Sequence, residues 1–280
     1  MKILFVGHVC VDKNVVRGET ETLYGGGVVH GAITAQRLGA SATVITKCAE
    51  EDRAGFRHLS DVGVQVVFLP SPRSTSIRNV YPSDNPDERQ SLLISRAEPF
   101  TGQDLERIAA AEADVVHVNA LWFGEFPPAL MPTLRRKAAF LATDAQGFVR
   151  VGEADGRMVH RDFPEKRAML PLLDLFKVDS KEALLLTGEE DPVRAARAVR
   201  ALGPKVVLLT HQGGVCVCDG ETVHQGAFTG CTIEGRTGRG DTCTASFLAG
   251  RGRGMGLQEA TEFAAAVTSA KMRYRGPYRG

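Results

Sequence analysis

The chain predicts an α/β fold in which a mainly parallel central sheet carries helices on both faces and a small β region sits to one side. Three observations carry this. Val- and Leu-rich runs such as Val115–Val118 and Lys205–Thr210 read as strands buried on both faces, the pattern of a parallel sheet. Helical stretches alternate with them. Asn119, Asp144, Asp179 and Thr210 close predicted strands, and the carboxyl ends of parallel strands are where open α/β sheets bind ligands. For any one of these residues a turn or capping role is also open, since Asp and Asn favour both.

In chain order, Lys2 to Gly7 is an apolar first strand. Asp12 follows as a turn residue or as a carboxylate at the carboxyl edge of the sheet. Residues 13–24 are polar and β-tolerant. Gly25-Gly26-Gly27 then enters a helix of small residues that carries His30 and stops at Gly39. A strand at Ala42–Lys47, a helix near 51–60 and a strand at Val64–Leu69 form a second βαβ-like unit. Residues 70–98 break the rhythm: prolines punctuate β-like runs at Ser74–Tyr81 and Arg89–Ser95, with a polar turn at Ser83–Asp87. Together, about 13–24 and 72–98 read as a small β lid over the site, the alternative being a decorative solvent-exposed hairpin. Lids that exclude water are common in group transfer.

Helices near 103–112 and 127–136 flank the strand Val115–Val118, and Ala139–Ala142 is a strand running on to Asp144. A helix at 164–174 precedes the strand Phe176–Asp179, and Ser180–Leu186 opens a helix stopped by Gly188. Helix 192–202 leads to Lys205–Thr210. His211-Gln212-Gly213-Gly214 turns into Val215–Cys218, and Asp219-Gly220 signals a type I′ hairpin before Thr222–Gln225. Two last helices start near Thr242 and Leu257.

At 280 residues, 43% hydrophobic and 24% charged, the chain reads as an ordinary globular protein of one large domain or two modest ones. A net charge of +1 gives no general attraction to nucleic acid or anionic membrane. No apolar run approaches a membrane span, and the first strand lacks the features of a signal peptide. The six cysteines include no C-x-x-C pair, so buried free thiols and a reducing, cytoplasmic compartment are expected.

The stretch that carries chemistry is Thr237-Gly238-Arg239-Gly240-Asp241-Thr242, feeding a helix. It fits an ordinary glycine turn. It also fits an anion site, because glycines bare the backbone N–H groups at the positive end of a helix dipole. A carboxylate there is out of place for anion binding alone, but suits a base that takes a proton from a hydroxyl attacking a phosphate.

On these motifs the chain resembles the PfkB/ribokinase family of small-molecule kinases along nearly its whole length. Gly238-Arg239-Gly240-Asp241 resembles the C-terminal signature, Gly25-Gly26-Gly27-Val28-Val29-His30 the N-terminal diglycine signature, and Asp179-Ser180-Lys181-Glu182 the family's Asn-x-x-Glu. The resemblance implies a single ribokinase-like three-layer domain over 1–280 with a β lid, and an ATP- and Mg²⁺-dependent kinase for a sugar or polyol hydroxyl. It implies Asp241 as base and Gly238, Arg239 and Gly240 as the anion hole. It places Asp12, Gly26, Gly27, His30 and Asp144 at the substrate, Asp179, Thr210, Gly213 and Gly214 at the nucleotide, and Glu182 at the metal through water. A monomer, or a homodimer through the lid, is implied.

The departures are His30 for Asn, Asp179 for Asn, Gly235-Arg236 for Asp-Thr, and Arg239 for a small residue. Arg239 could grip a phosphate with its forked guanidinium or point to solvent. Residues 144–150 faintly resemble a branch that includes inositol kinases. Hexose, ketose, inositol and nucleoside acceptors all remain open. So do a non-catalytic sugar- or nucleotide-binding sensor and, less favoured for want of a G-x-G-x-x-G after the first strand, a dinucleotide-dependent oxidoreductase.

Overall fold

A computed structural model describes residues 1–16, 18–81, 90–220, 222–230 and 234–280. The first third contains β1 (Lys2–Val6), β2 (Cys10–Val16), β3 (Glu19–Gly25), α1 (Gly27–Arg37), β4 (Ser41–Cys48), α2 (Arg57–Asp61), β5 (Gln65–Pro70), β6 (Thr75–Tyr81) and β7 (Gln90–Ser95). The middle contains α3 (Asp104–Ala110), β8 (Val115–Val118), α4 (Met131–Lys137), β9 (Leu141–Asp144), α5 (Gln146–Val149), β10 (Arg150–Gly152), β11 (Met158–His160) and α6 (Lys166–Met169). Then follow β12 (Leu175–Asp179), α7 (Ser180–Thr187), α8 (Pro192–Arg200), β13 (Val206–His211), β14 (Gly214–Cys218), β15 (Val223–Ala227), α9 (Arg239–Gly252) and α10 (Leu257–Met272).

Among the described residues, nine strands form one sheet in the order β15-β14-β13-β12-β9-β8-β1-β4-β5. It is parallel from β13 to β5, and the β13-β14-β15 meander makes an antiparallel edge. Alternation along each strand sends side chains to two core layers. Leu4, Val6, Val116, Val178 and Leu209 pack with Ile108, Leu134, Ala183 and Val199 of α3, α4, α7 and α8. Ile3, Phe5, Val44 and Leu208 pack with Leu59, Val29, Phe247 and Ala264 of α2, α1, α9 and α10. Phe5 and Phe176 are wholly inaccessible, and burying each contributes about 1.5–3 kcal/mol. This is the three-layer α/β arrangement expected from the strand pattern. No helix of the described residues is long and apolar enough to cross a membrane, and Cys10, Cys48, Cys216, Cys218 and Cys243 are buried free thiols.

The polar β segments form a separate four-stranded sheet, β3-β2-β6-β7. β2 begins at Cys10, so Asp12 lies inside a strand of this small sheet and not at the end of a central one. The turn expected at 83–87 lies outside the described residues. Three other boundaries differ from expectation. The strand before Asp144 is Leu141–Asp144, two residues later, and it ends on the carboxylate itself. The helix expected over 164–174 is one turn at Lys166–Met169 and a 3-10 turn at Leu170–Leu172, because Pro171 has no N–H to continue a ladder. An unanticipated short hairpin pairs Arg150–Gly152 with Met158–His160.

Candidate active site

Four neighbouring strands bring polar residues to one edge of the parallel sheet. Asp144 is opposite Lys177 in the β9–β12 register, Asp179 is opposite Thr210 across β12–β13, and Asn119 lies one residue past β8. The Asn119 N–H donates to the Val6 carbonyl at 2.8 Å, which fixes it to the end of β1.

Two glycine-started helices close on this edge. α1 is capped by Gly26, whose φ of 108° is open to glycine and strained for other residues. A Cβ on Gly27 would fall 1.7 Å from Asn119 Oδ1 and 2.7 Å from Asp241 Oδ1, so this position must be glycine for the helix start to reach the carboxylate. α9 is capped by Gly238 at φ 80°, and a Cβ there would meet His30 Nδ1 at 2.2 Å. Asp241 lies in the first turn of α9, where the helix dipole favours negative charge.

Asp241 is held through a chain of side chains. Asn119 Nδ2 donates to Asp241 Oδ1 at 2.9 Å and to Asp144 Oδ2 at 3.2 Å, and His117 Nε2 is 2.9 Å from Asp144 Oδ1. Burial raises the Asp241 pKa, and repulsion from Asp144 raises it further. Lys177, the Asn119 hydrogen bond and His117 pull the other way. A carboxylate made more basic in this manner suits proton abstraction.

Lys177 is the cation of the cluster. It is 7% exposed, its Nζ lies 3.7 Å from Glu182 Oε2, and the same Nζ would be 2.8 Å from a Cβ on Gly240. Burial works against its charge, but Glu182, Asp144, Asp179 and Asp241 together outweigh burial and raise its pKa. Asp179 and Glu182 form a capping box on α7: Asp179 Oδ1 accepts from the Glu182 N–H at 2.8 Å, and Glu182 Oε2 from the Asp179 N–H at 2.7 Å. Burial and Asp179 raise the Glu182 pKa.

Of the residues singled out in the sequence, Gly27, Gly238, Gly240, His30, Asp179, Glu182 and Asp241 meet around this junction. Asp144 is 2% exposed with both oxygens engaged by His117 and Asn119, so it stands behind Asp241. His30 packs on Gly238, and burial lowers its pKa to about 3, leaving a neutral ring whose Nδ1 has no hydrogen-bond partner among the described residues. Asp12 reaches the junction through the glycine turn: its Oδ2 would be 3.3 Å from a Cβ on Gly25, and its Oδ1 accepts from Cys10 Sγ at 3.4 Å.

Thr210, Gly213 and Gly214 sit further along the edge. Gly214 is needed by the meander itself, because a Cβ there would strike the Gly226 carbonyl at 2.2 Å. The Arg239 guanidinium lies over the Phe228 ring, 5.9 Å from its centroid, and its charge adds to burial in lowering the His211 pKa.

The sequence placed Asn119 at the ligand-binding edge of the sheet without a specific task, and gave no role to His117 or Lys177. A signal existed for each. His117 precedes Asn119 by two residues and Lys177 precedes Asp179 by two, so each pair shares a strand face. Lys177 is also a charge inside an otherwise apolar strand.

Residues 3–280 match the family described as pfkB family carbohydrate kinase. A cytidine kinase from Thermococcus kodakarensis is 27% identical over 282 residues, covering 92% of this chain and 91% of that one. A pyrophosphate-dependent kinase in the ribokinase family, solved with a pyrophosphate analogue and myo-inositol, is 53% identical with a TM-score of 0.92, over 99% of this chain and 97% of that one. A pyrophosphate-dependent myo-inositol-1 kinase, converted into a myo-inositol-3 kinase by replacing one Asn and one Ser with Leu, is 52% identical with a TM-score of 0.91, over 99% and 95%. Arabidopsis thaliana ribokinase, at 20% identity and TM-score 0.77 over 98% and 93%, shares the fold.

Proposed function

The chain belongs to the pfkB family of carbohydrate kinases, and from that premise we propose that it transfers a phosphoryl group from pyrophosphate to a hydroxyl of myo-inositol. A phosphotransferase with a hydroxyl acceptor follows from the family. We infer the donor and the acceptor from the high identity over nearly full length to pyrophosphate-dependent inositol kinases. ATP, which the sequence motifs imply, is the competing donor. The observation that carries the chemistry is the meeting of Gly27, Asn119 and Asp241 beside the glycine-capped start of α9.

In this reading the backbone N–H groups of Gly238 and Gly240 receive the transferring phosphoryl group, while the Arg239 N–H is held by the Arg236 carbonyl at 3.1 Å. Lys177 beneath Gly240 and Arg239 beside it supply two cations, which suits a donor that is almost all charge and has no base to bury. Asn119 holds one oxygen of Asp241, and the other takes the proton of the attacking hydroxyl. The hydroxyl oxygen bonds to phosphorus as the bond to the departing phosphate breaks, giving an inositol monophosphate and orthophosphate.

Mg²⁺ keeps most of its waters and uses one or two carboxylates plus substrate phosphates. Half-buried Asp179, with the buried carboxylate of Glu182 behind it, offers the one or two carboxylates that role needs. When bound, the ion would neutralise charge on the donor.

The small sheet supplies the acceptor side. Asp12 and Asn14 share one face of β2, and their register partners in β6 are Ile77 and Asn79. Ser91 Oγ donates to Asn79 Oδ1 at 2.8 Å, and Asn79 Nδ2 donates to Asn14 Oδ1 at 3.0 Å. We assign this Asn–Ser pair the choice of inositol hydroxyl, in keeping with the relative whose choice changes on replacement of an Asn and a Ser. Initial rates with pyrophosphate or ATP against inositol, ribose, fructose and cytidine test the reading. The pyrophosphate–inositol combination is expected to give the highest kcat/KM, and a higher value for ATP with any acceptor would reject it.

A further inference from the structure

Beneath the anion turn lies a buried charge that the reaction above does not use. Lys271, in the last turn of α10, is wholly inaccessible, and its Nζ donates to the Gly235 carbonyl at 2.6 Å and to the Thr237 carbonyl. These residues lead directly into Gly238, the cap of α9. The same turn is laid against the end of α10 elsewhere. The Gly235 N–H donates to the Met272 carbonyl at 3.2 Å, and a Cβ on Gly235 would fall 2.0 Å from the Tyr274 carbonyl. Gly235 is therefore a glycine because two strands of backbone cross there.

A packing role alone would be served better by an apolar side chain of similar volume, since a buried charge is costly unless it is bonded. Burial lowers the Lys271 pKa to about 8, with Asp241 opposing, so the ammonium is charged at neutral pH. The partners explain why a charge is kept. In a trans peptide the C=O and N–H point in opposite directions. Drawing the carbonyls of Gly235 and Thr237 down onto one ammonium turns the N–H groups of Arg236 and Gly238 to the other side.

We propose that Lys271 is a positioning residue: an internal cation that grips the 235–238 turn by its carbonyls and so aims the turn's N–H groups at the phosphate donor. It does there what a bound monovalent cation could otherwise do. The inference rests on reading 238–240 as the donor site.

The test compares the wild type with Lys271→Ala and Lys271→Met in tetramethylammonium, ammonium and potassium salts at equal ionic strength. The wild type is expected to be indifferent to the cation. Lys271→Ala loses on the order of 30-fold in kcat/KM for the donor, as for a charged hydrogen bond, while the acceptor KM holds. Ammonium or potassium restores about tenfold of that loss, or ~1.4 kcal/mol, in Lys271→Ala. Neither ion helps Lys271→Met, whose side chain still fills the space. A wild type activated by potassium, a Lys271→Met variant as active as wild type, or a Lys271→Ala loss that no cation relieves would each overturn the proposal. Melting temperature gives an arm independent of turnover: ammonium should raise it in Lys271→Ala only. If that rise is absent, the internal-cation role fails. If it occurs without any pyrophosphate turnover in the wild type, the donor assignment fails instead.

Discussion

Around Asp241 the side chains are charged, buried and interlocked: Asn119 joins two carboxylates, Lys177 answers four, and Gly27 and Gly240 leave no room for a Cβ. Across the glycine turn, the small sheet offers half-buried Asp12 and Asn14, with the neutral Asn79–Ser91 pair behind them. The phosphoryl-transfer side is thus fixed by contacts whose loss leaves a buried charge unpaired. The proposed acceptor side has one carboxylate, Asp12, and the neutral Asn79–Asn14 and Ser91–Asn79 hydrogen bonds, whose loss strands no buried charge. On the proposed reading, the first region carries the chemistry and the second the choice of acceptor hydroxyl.

The sharpest way to break this contrast is Asp241→Asn. It should lower kcat by about 10²–10⁴, while calorimetry shows inositol and pyrophosphate still binding. Turnover near the wild-type level would remove Asp241 as the base. Next in size is Lys177→Met, which strands the Glu182 charge beside Asp179. A stability loss of about 3–5 kcal/mol is expected in urea unfolding, and a loss under 1 kcal/mol (~fivefold in the folding equilibrium) would show that the cluster is not held by its cation.

Asp144→Asn removes a charge beside Asp241, together with one of the two acceptor oxygens that engage His117 and Asn119. Asp241 has a raised pKa, so kcat/KM falls as pH drops below that value. The groups facing it are Asp144, Lys177, His117 and Lys271. Removing the Asp144 charge lowers the Asp241 pKa and moves the acid limb of the profile to lower pH. A limb that stays put or moves up would contradict the assignment. The smallest change in rate is expected from the paired Asn79→Leu and Ser91→Leu substitutions. They should leave the fold intact and shift the ratio of inositol monophosphate isomers by about tenfold, read by chiral chromatography. An unchanged ratio would move specificity elsewhere.

Much of this was legible in the sequence. The strand pattern foretold the parallel sheet, and Gly238–Asp241 foretold a carboxylate at a helix start. Local signals were enough there because the features are local: strand burial and a turn without side chains. The missed residues depend on pairing. Lys177 becomes intelligible only when β9 and α9 bring Asp144 and Asp241 to it, and Asn119 only when α1 presses Gly27 against it. Asp12 was expected near a sheet edge, but β2 begins earlier than its polar residues indicate because Cys10 packs with Ile77, Leu93 and Trp122. Asp144 was placed at the substrate by the family resemblance and by its position at a strand end. Its neighbour His117, invisible as a partner in the sequence, takes one of its oxygens instead.

The most direct test of phosphoryl transfer from pyrophosphate is ³¹P NMR of the protein with pyrophosphate, Mg²⁺ and myo-inositol, with ATP in a parallel sample. The expected result is loss of the pyrophosphate resonance, with one inositol monophosphate and one orthophosphate formed for each pyrophosphate consumed, at a rate well above that with ATP. Orthophosphate without inositol monophosphate, or inositol monophosphate formed faster from ATP, would contradict it.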